Sequence, residues 1–343
     1  MFGKQQLKVK GFQTMKKACF LKSVCILLLT ILLLSACGPQ NTPPPSEEPQ
    51  GYATVEALAE DDSIESVTRD EYEALTSVDL SKLPTEAANL YRGILEGIVT
   101  YQILYYVDGC TVSAFISVPK DYTAKSYPTI IYNRGGNGNF SANNAASIAS
   151  YAYTTDCIVI ASNYRETIPG NGKDEFGGND VHDVVFWIDM LPQLDFVNKD
   201  DVYMIGESRG GMQTCLSLLE DDKNAIKAAA CVSGVYDVTN SYNSREDMRE
   251  MLARRIGGTP EECPEEYAKR SAVTFADRIN TPLILVHSTG DTQVPYTQAQ
   301  AFASELASAG KTYELITREN AYHSLTSPAE LLDIFNRLKA ISN

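Results

Sequence analysis

Tryptophan, histidine and positive charge are all scarce in this chain. Its 343 residues include one Trp and three His, and 44 Asp and Glu outnumber 29 Lys and Arg, for a net charge of −15. With so few histidines and no Cys-x-x-Cys pair, the sequence has no pattern typical of a zinc centre, and no metal is expected. Because nucleic acid is itself a polyanion, an acidic protein is not expected to bind it.

Long apolar runs are also missing. The segment "VCILLLTILLLSA", residues 24–36, has thirteen residues, whereas a membrane-spanning helix needs about 20. Six lysines and no acidic residue precede it. A basic start followed by a short apolar core predicts a secretory signal peptide over residues 1–36. A membrane anchor helix is the alternative.

The segment "LLSAC", residues 33–37, resembles the lipobox of bacterial lipoproteins. In that family the cysteine becomes the mature N-terminus and carries the lipid, so the resemblance implies Cys37 as the lipid anchor. The proline-rich residues 37–51 are then a tether, and the protein is expected on the extracytoplasmic face of the cell membrane. Loss of the six lysines takes the net charge from −15 to −21. An incidental thiol at Cys37 is the alternative.

The cysteine pattern does not favour a disulfide framework. Beyond Cys37 five cysteines remain, an odd number, and most of them lie in apolar runs. We expect them to be buried small hydrophobic residues.

Strand and helix patterns alternate through most of the chain. Residues 98–107 and 110–119 are β-rich and separated by Asp-Gly, which predicts a hairpin. Short apolar runs, typical of strands buried on both faces, follow at residues 129–133, 157–164, 201–206, 227–234 and 282–288. Apolar residues at helical spacing lie between them. This order predicts an α/β fold with a mostly parallel twisted sheet and helices on both faces.

The division into domains follows from the same patterns. Residues 52–96 are predicted to form an N-terminal helical extension and residues 97–343 a catalytic domain. Within that domain, residues 236–281 interrupt the alternation. They predict a helical insertion over the carboxyl edge of the sheet, where ligands bind in open α/β folds. The insertion is either a cap or a solvated helical excursion.

The segment "MIGESRGGM", residues 204–212, contains a G-x-S-x-G motif between a predicted strand and a predicted helix. This is the context of a nucleophile elbow, so Ser208 is the candidate nucleophile. Gly206 and Gly210 leave room for the sharp turn. The backbone N–H of Arg209 is the candidate first oxyanion donor.

A serine nucleophile requires a base and an acid that orients the base. Two histidines follow Ser208, and His323 is preferred because it lies in a loop after the last predicted strand. His287 lies within an apolar strand and is interpreted as a partly buried structural residue. His182 precedes Ser208 and is interpreted as a surface or packing residue. Asp291, just past a strand end, is the candidate acid.

The motifs "GESRGG", "HSTGDTQVP" and "AYHSL" together resemble the catalytic domain of the prolyl oligopeptidase family of α/β-hydrolases. The similarity covers residues 127–343 and includes "SNYRETIPGNGKDEFGGNDVHDV". It implies an α/β-hydrolase fold with Ser208 as nucleophile, Asp291 as orienting acid and His323 as base.

Two features depart from that family. Its peptidases usually carry a large N-terminal β-propeller, for which residues 52–126 are too short. Its oxyanion loop normally offers a tyrosine hydroxyl, whereas here "IIYNRGGNG" places Arg134 at that position. The second oxyanion donor is therefore expected to be the side chain of Arg134 or Tyr132, or a backbone N–H near Gly135.

The favoured function is that of a lipid-anchored serine hydrolase that cleaves a peptide bond through an acyl-enzyme and needs no cofactor. An esterase acting on small or saccharide esters is the alternative within the same class. A binding lipoprotein that keeps a hydrolase fold without turnover is the alternative from another class. The sequence predicts a peptide or small ester as the partner, contact with the membrane only through the lipid, and no particular oligomeric state.

Overall fold

The computed structural model describes residues 51–319, 322–325 and 327–342. The predicted signal peptide, Cys37 and nearly all of the tether lie outside these residues. Among the described residues, no helix is both long and apolar enough to cross a membrane.

A nine-stranded sheet organises the described chain, in the order β1-β2-β3-β5-β4-β6-β7-β8-β9. Strands β4 to β9 run parallel to one another, whereas β1 pairs antiparallel with β2, β2 with β3, and β3 with β5. The strands are β1 (Ile64–Asp70), β2 (Ile98–Val107), β3 (Cys110–Pro119), β4 (Thr129–Asn133), β5 (Ile158–Ser162), β6 (Val202–Glu207), β7 (Ala228–Val232), β8 (Leu283–Ser288) and β9 (Tyr313–Arg318). The predicted mostly parallel sheet is confirmed.

Helices cover both faces of the sheet. One face carries α2 (Thr85–Gly97), α3 (Ala145–Thr155) and α10 (Pro328–Ile341), and the short α1 (Glu73–Thr76) precedes them in the chain. The other face carries α4 (His182–Met190), α5 (Arg209–Glu220) and α9 (Tyr296–Ser308). Each central strand therefore contributes to two cores. In β5, Ile160 belongs to one core and Val159 to the other, which explains its uninterrupted apolar sequence.

The N-terminal segment differs from the predicted helical extension. Besides α1 and α2 it contains β1, which pairs antiparallel with β2 at the edge of the sheet. Its sequence, "IESVTRD", is mostly polar, and only Ile64 is buried. The strand is held mainly by backbone pairing, so the apolar pattern of the sequence contained no indication of it.

The predicted insertion between β7 and β8 consists of α6 (Val238–Ser244), α7 (Glu246–Ile256) and α8 (Pro264–Lys269), followed by two short 3₁₀ turns. It begins where β7 ends, at the carboxyl edge of the sheet. Leu252 and Tyr267 are buried in the same core as α5 and α9. Of the two predicted alternatives, the insertion is thus packed on the domain and is not a solvated excursion.

Substitution of Phe335 by Ala tests the core beneath α10. Phe335 is 1% exposed, and its ring meets that of Tyr203 edge-on, with centroids 5.5 Å apart. Removal of the ring leaves a cavity, so the free energy of unfolding should fall by about 3–5 kcal/mol in urea titration. Leu332, on the same helix, is 39% exposed, and Leu332→Ala should lower the same quantity by about 1 kcal/mol or less. Equal losses would contradict the burial of this helix face.

Candidate active site

Ser208 stands in a strained turn between β6 and α5. Its φ of 57° and ψ of −120° lie in a region that non-glycine residues rarely adopt. A side chain on Gly206 would approach the Gly210 carbonyl oxygen to 2.1 Å, and one on Gly210 would approach the Asn133 carbonyl oxygen to 1.8 Å. Both positions therefore require glycine. The close packing holds the turn and presents the Ser208 hydroxyl at the carboxyl edge of the sheet.

His323 joins Ser208 to Asp291. Its Nε2 lies 2.8 Å from Ser208 Oγ, and its Nδ1 lies 2.7 Å from Asp291 Oδ2. The three residues are far apart in sequence. In the structure they form one series of hydrogen bonds, with His323 between Ser208 and Asp291, as expected for a base and the acid that orients it. The His323 side chain is 11% exposed and that of Asp291 is buried, so the series leads from the interior to the surface at Ser208.

The Asp291 carboxylate is held as an anion. Burial alone would raise its pKa, but the hydrogen bonds from His323 and the backbone N–H groups of Val294 and Gln293 bring the pKa below its usual value. An ionised Asp291 can only accept a hydrogen bond, so Nδ1 of His323 carries the proton. Nε2 is then left to accept the hydrogen bond of Ser208, the arrangement that a general base requires.

The other two histidines do not take part in the hydrogen bonds that connect Ser208, His323 and Asp291. His287 is buried, and its Nε2 is 2.9 Å from the Val294 carbonyl oxygen. Burial lowers the pKa of His287, which keeps it neutral beneath Asp291. His182 is half-exposed and bonds to Asp108. Neither occupies the position of the base.

Arg134 does not have the position expected of an oxyanion donor. It is 1% exposed, and its nitrogens donate to Thr167 Oγ1 and to the carbonyl oxygens of Gly135, Gly138, Phe140 and Asn163, at 2.6–3.1 Å. A guanidinium has five N–H groups, and these acceptors engage all of them. The expectation for the Arg134 side chain is therefore corrected: it holds the loop after β4 by its carbonyl groups. Burial and the neighbouring Arg209 lower its pKa to about 10.

Tyr132 and Gly135 are the other two candidates for the second oxyanion donor, and they differ in how they lie relative to Ser208. The Tyr132 hydroxyl donates to Glu207 Oε2 at 3.0 Å and is not directed to Ser208 Oγ. Gly135 lies against the serine, because a Cβ on Gly135 would be 3.1 Å from that of Ser208. The backbone N–H of Gly135 has no hydrogen-bond partner among the described residues. The N–H of Arg209 is at the first turn of α5, where no intrahelical acceptor is available.

The side chain of Arg209, the residue after Ser208, is buried and is bound by two carboxylates. It forms two hydrogen bonds with Asp174, at 2.6 and 2.7 Å, and one with Asp180 at 2.7 Å. Its Nη1 also donates to the Gly136 carbonyl oxygen at 3.2 Å. Burial alone would raise the pKa of Asp174, and the charge of Arg209 lowers it. Asp174 and Asp180 were not singled out from the sequence, although both lie in the quoted segment "SNYRETIPGNGKDEFGGNDVHDV".

Glu207 is another residue of the site that the sequence did not single out, besides Asp174 and Asp180. It precedes the nucleophile, is 8% exposed, and accepts hydrogen bonds from the Tyr132 hydroxyl at 3.0 Å and from the Leu325 N–H at 3.1 Å. The second of these bonds connects the elbow to the loop that carries His323. The only indication in the sequence was its position within G-x-S-x-G.

Two cavities meet at Ser208. The histidine-side cavity, of about 380 Å³, is lined by Tyr132, Tyr151, Glu207 and His323 among others. The insertion-side cavity, of about 310 Å³, is lined by apolar and charged side chains that include Phe176, Val235, Arg245, Met248 and Val294. Within the described residues, no cluster of His, Cys, Asp and Glu is arranged to hold a metal ion.

Comparison with known proteins identifies related sequences. The model of the prolyl oligopeptidase family matches residues 149–340. The uncharacterised peptidase YtmA of Bacillus subtilis is 31% identical over 216 residues, which cover 62% of this chain and 82% of that protein. Dipeptidyl-peptidase 5 of Porphyromonas gingivalis is 25% identical over 248 residues, 67% of this chain and 35% of that protein.

Solved structures give the same fold. The acylaminoacyl peptidase of Pyrococcus horikoshii aligns with a TM-score of 0.58 at 20% identity, over 74% of this chain and 42% of that one. A puromycin-hydrolysing peptidase of Mycobacterium tuberculosis aligns with a TM-score of 0.57 at 21% identity, over 68% of this chain and 38% of that one. The expected α/β-hydrolase fold is confirmed. This chain matches less than half the length of either structure.

Arg134→Lys tests whether the loop after β4 depends on the guanidinium. A lysine has three donors and cannot bridge the same carbonyl groups, so the loop should move away from Ser208. The second-order rate of labelling of Ser208 by a fluorophosphonate should fall at least about tenfold, because such reagents place an oxygen at the oxyanion position. Arg254, with 65% of its side chain exposed, provides the control: Arg254→Lys should leave the rate unchanged. Equal rates for both variants would contradict the inferred role of Arg134.

Proposed function

The chain belongs to the prolyl oligopeptidase family and is a serine hydrolase, and we propose that it is a peptidase in which Ser208, His323 and Asp291 form the catalytic triad. The observation that carries this proposal is the hydrogen-bonded chain from Ser208 Oγ through His323 to Asp291, at 2.8 and 2.7 Å. A serine that merely terminates a strand would need neither this partner nor the strained backbone.

In the first half of the reaction Ser208 attacks the substrate carbonyl carbon. His323 Nε2 removes the hydroxyl proton as the Oγ–C bond forms, and the carbonyl oxygen becomes an oxyanion. The backbone N–H groups of Arg209 and Gly135 are proposed to bind this oxyanion, each such donor being worth roughly 3 kcal/mol. His323 then transfers its proton to the leaving nitrogen. The C–N bond breaks, and the acyl group remains on Ser208.

The second half repeats these steps with water. His323 removes a proton from the water molecule, whose oxygen attacks the acyl carbon, and the proton passes to Ser208 Oγ as the ester bond breaks. Asp291 keeps its charge throughout and stabilises the imidazolium that forms in each half. The low pKa of Asp291 supports this role because the carboxylate stays ionised when a positive charge develops beside it.

Short peptides are the proposed substrates. The cavities on either side of Ser208, of about 310 and 380 Å³, have room for a few side chains. The insertion contributes Arg245 and Met248 to the smaller cavity, so it forms part of the wall of the site. The identity with peptidases supports the assignment to a peptide bond.

We also propose that the protein is a lipoprotein held on the extracytoplasmic face of the membrane through Cys37. Support comes from the six lysines, the short apolar run and the "LLSAC" segment of the N-terminal sequence. An acidic body has no electrostatic attraction to anionic lipids, so the acyl chains would provide the attachment.

Fluorophosphonate labelling tests the triad. The wild-type protein should be labelled and should hydrolyse Pro- or Ala-p-nitroanilides, whereas Ser208→Ala should lose both, because the hydroxyl that contacts His323 Nε2 is removed. Ser217 provides the control, since its buried hydroxyl lies on α5 and has no partner among the described residues. Ser217→Ala should behave as the wild type. Rapid hydrolysis of p-nitrophenyl acetate without hydrolysis of any anilide would assign an esterase, and absence of labelling would contradict the triad.

Detergent phase partition tests the lipid anchor. Full-length protein expressed in a bacterium should enter the detergent phase, and Cys37→Ser should abolish both processing and partition, because the thiol is the site of acylation. Cys263→Ser, a change at a partly buried position of the catalytic domain, should have no effect on partition. Detergent partition of an unprocessed Cys37→Ser protein would favour a membrane anchor helix.

A further inference from the structure

The histidine-side cavity is the proposed place of the leaving group. His323 must deliver its proton to the leaving atom, so this atom lies on the imidazole side of Ser208. His323 lines the histidine-side cavity but does not line the insertion-side cavity. The acyl part of the substrate then occupies the insertion-side cavity. This orientation rests on the function proposed above.

A carboxylate without a cationic partner lies in the histidine-side cavity. Glu207 is 8% exposed, and no lysine, arginine or histidine forms an ion pair with it among the described residues. Among the described residues its carboxylate accepts two hydrogen bonds, both from uncharged donors, the Tyr132 hydroxyl and the Leu325 N–H. A carboxylate has about four acceptor positions, so about two of them have no donor among the described residues, and Glu207 lines the cavity. Burial of a charge without a counter-ion is unfavourable.

Two aromatic rings stand beside this carboxylate. Tyr132 and Tyr151 line the cavity and meet edge-on, with ring centroids 4.8 Å apart. Burial and the charge of Glu207 raise the pKa of Tyr132 well above its usual value, so its hydroxyl keeps its proton and donates to Glu207. Aromatic rings next to a carboxylate form favourable surroundings for an ammonium or guanidinium group.

The described residues that line this cavity include no lysine and a single arginine. Arg134 is the arginine that lines it, and its N–H groups are engaged by carbonyl oxygens and Thr167. Its guanidinium is therefore not free to form hydrogen bonds with a carboxylate of the substrate. The acceptor positions of Glu207 that have no described donor therefore favour a cation in this cavity.

We propose that the histidine-side cavity is a subsite for a cationic leaving group, with Glu207 as the counter-ion. In a peptide this group is a lysine or arginine side chain on the residue directly after the cleaved bond. The enzyme is therefore selective for peptides with a basic residue at that position.

A pair of substrates that differ only in charge tests the proposal. Both carry the acyl part of the p-nitroanilide that the enzyme hydrolyses fastest, followed by lysinamide in one and by norleucinamide in the other. For full-length protein in nonionic detergent at pH 7.5, kcat/KM should be at least about tenfold higher for the lysine peptide, as expected for one charge-assisted hydrogen bond. In Glu207→Gln the ratio should approach one. The ratio within each variant is independent of any general loss of activity.

Asp247→Asn provides the matched control. Asp247 is an acidic residue that lines the insertion-side cavity, so its replacement should leave the lysine-to-norleucine ratio unchanged. A wild-type ratio near one, or the same ratio in wild type and Glu207→Gln, would overturn the proposal. A ratio that falls only in Asp247→Asn would overturn it as well, because the basic side chain would then bind in the other cavity.

Calorimetry separates this proposal from the proposed activity. Nα-acetyl-lysinamide should bind to Ser208→Ala at least about tenfold more tightly than Nα-acetyl-norleucinamide, and the additional Glu207→Gln change should remove the difference. Equal affinities in Ser208→Ala would overturn the subsite. Absence of fluorophosphonate labelling in the wild-type protein would instead contradict the triad, whereas the calorimetric comparison would still decide the charge preference of the cavity.

Discussion

The backbone of Ser208 is the constraint on which the rest of the site depends. With φ at 57° the chain turns sharply from β6 into α5. The Ser208 hydroxyl then faces the carboxyl edge of the sheet, and the first N–H groups of the helix lie next to it. The turn is held because Gly210 packs against the Asn133 carbonyl group at the end of β4. Strands β4 and β6 pair in register, with Asn133 opposite Gly206, so the sheet itself determines how closely the nucleophile approaches the loop after β4.

Two buried arginines set the shape of that loop. Arg134 binds carbonyl groups from Gly135 to Phe140, and Arg209 binds that of Gly136. Arg209 is in turn held by Asp174 and Asp180. Charges buried beneath the site thus act as positioning groups, and uncharged backbone donors are the proposed contacts of the oxyanion.

The insertion and Glu207 give the two sides of Ser208 different chemical character. On one side Val235, Met248 and Val294 form a partly apolar surface. On the other side Glu207 and two tyrosines form a polar one. On the proposed mechanism this asymmetry would give the substrate a direction, because His323 lies on the polar side. Selectivity for substrates is therefore proposed to come from residues beside Ser208 and in the insertion.

The sequence by itself determined the alternation of strands and helices, the elbow at Ser208 and the choice of His323 and Asp291, because each depends on local spacing or on chain order. It did not predict β1, whose polar residues are held by pairing with β2. It offered the Arg134 side chain as one of three candidate oxyanion donors and did not indicate the acceptors of that side chain, which are spread from Gly135 to Thr167. It also gave no role to Glu207, whose partners are 75 and 118 residues away in the chain. Only the tertiary structure decided these contacts, because hydrogen bonds between buried polar groups depend on distances in space that a linear pattern does not contain.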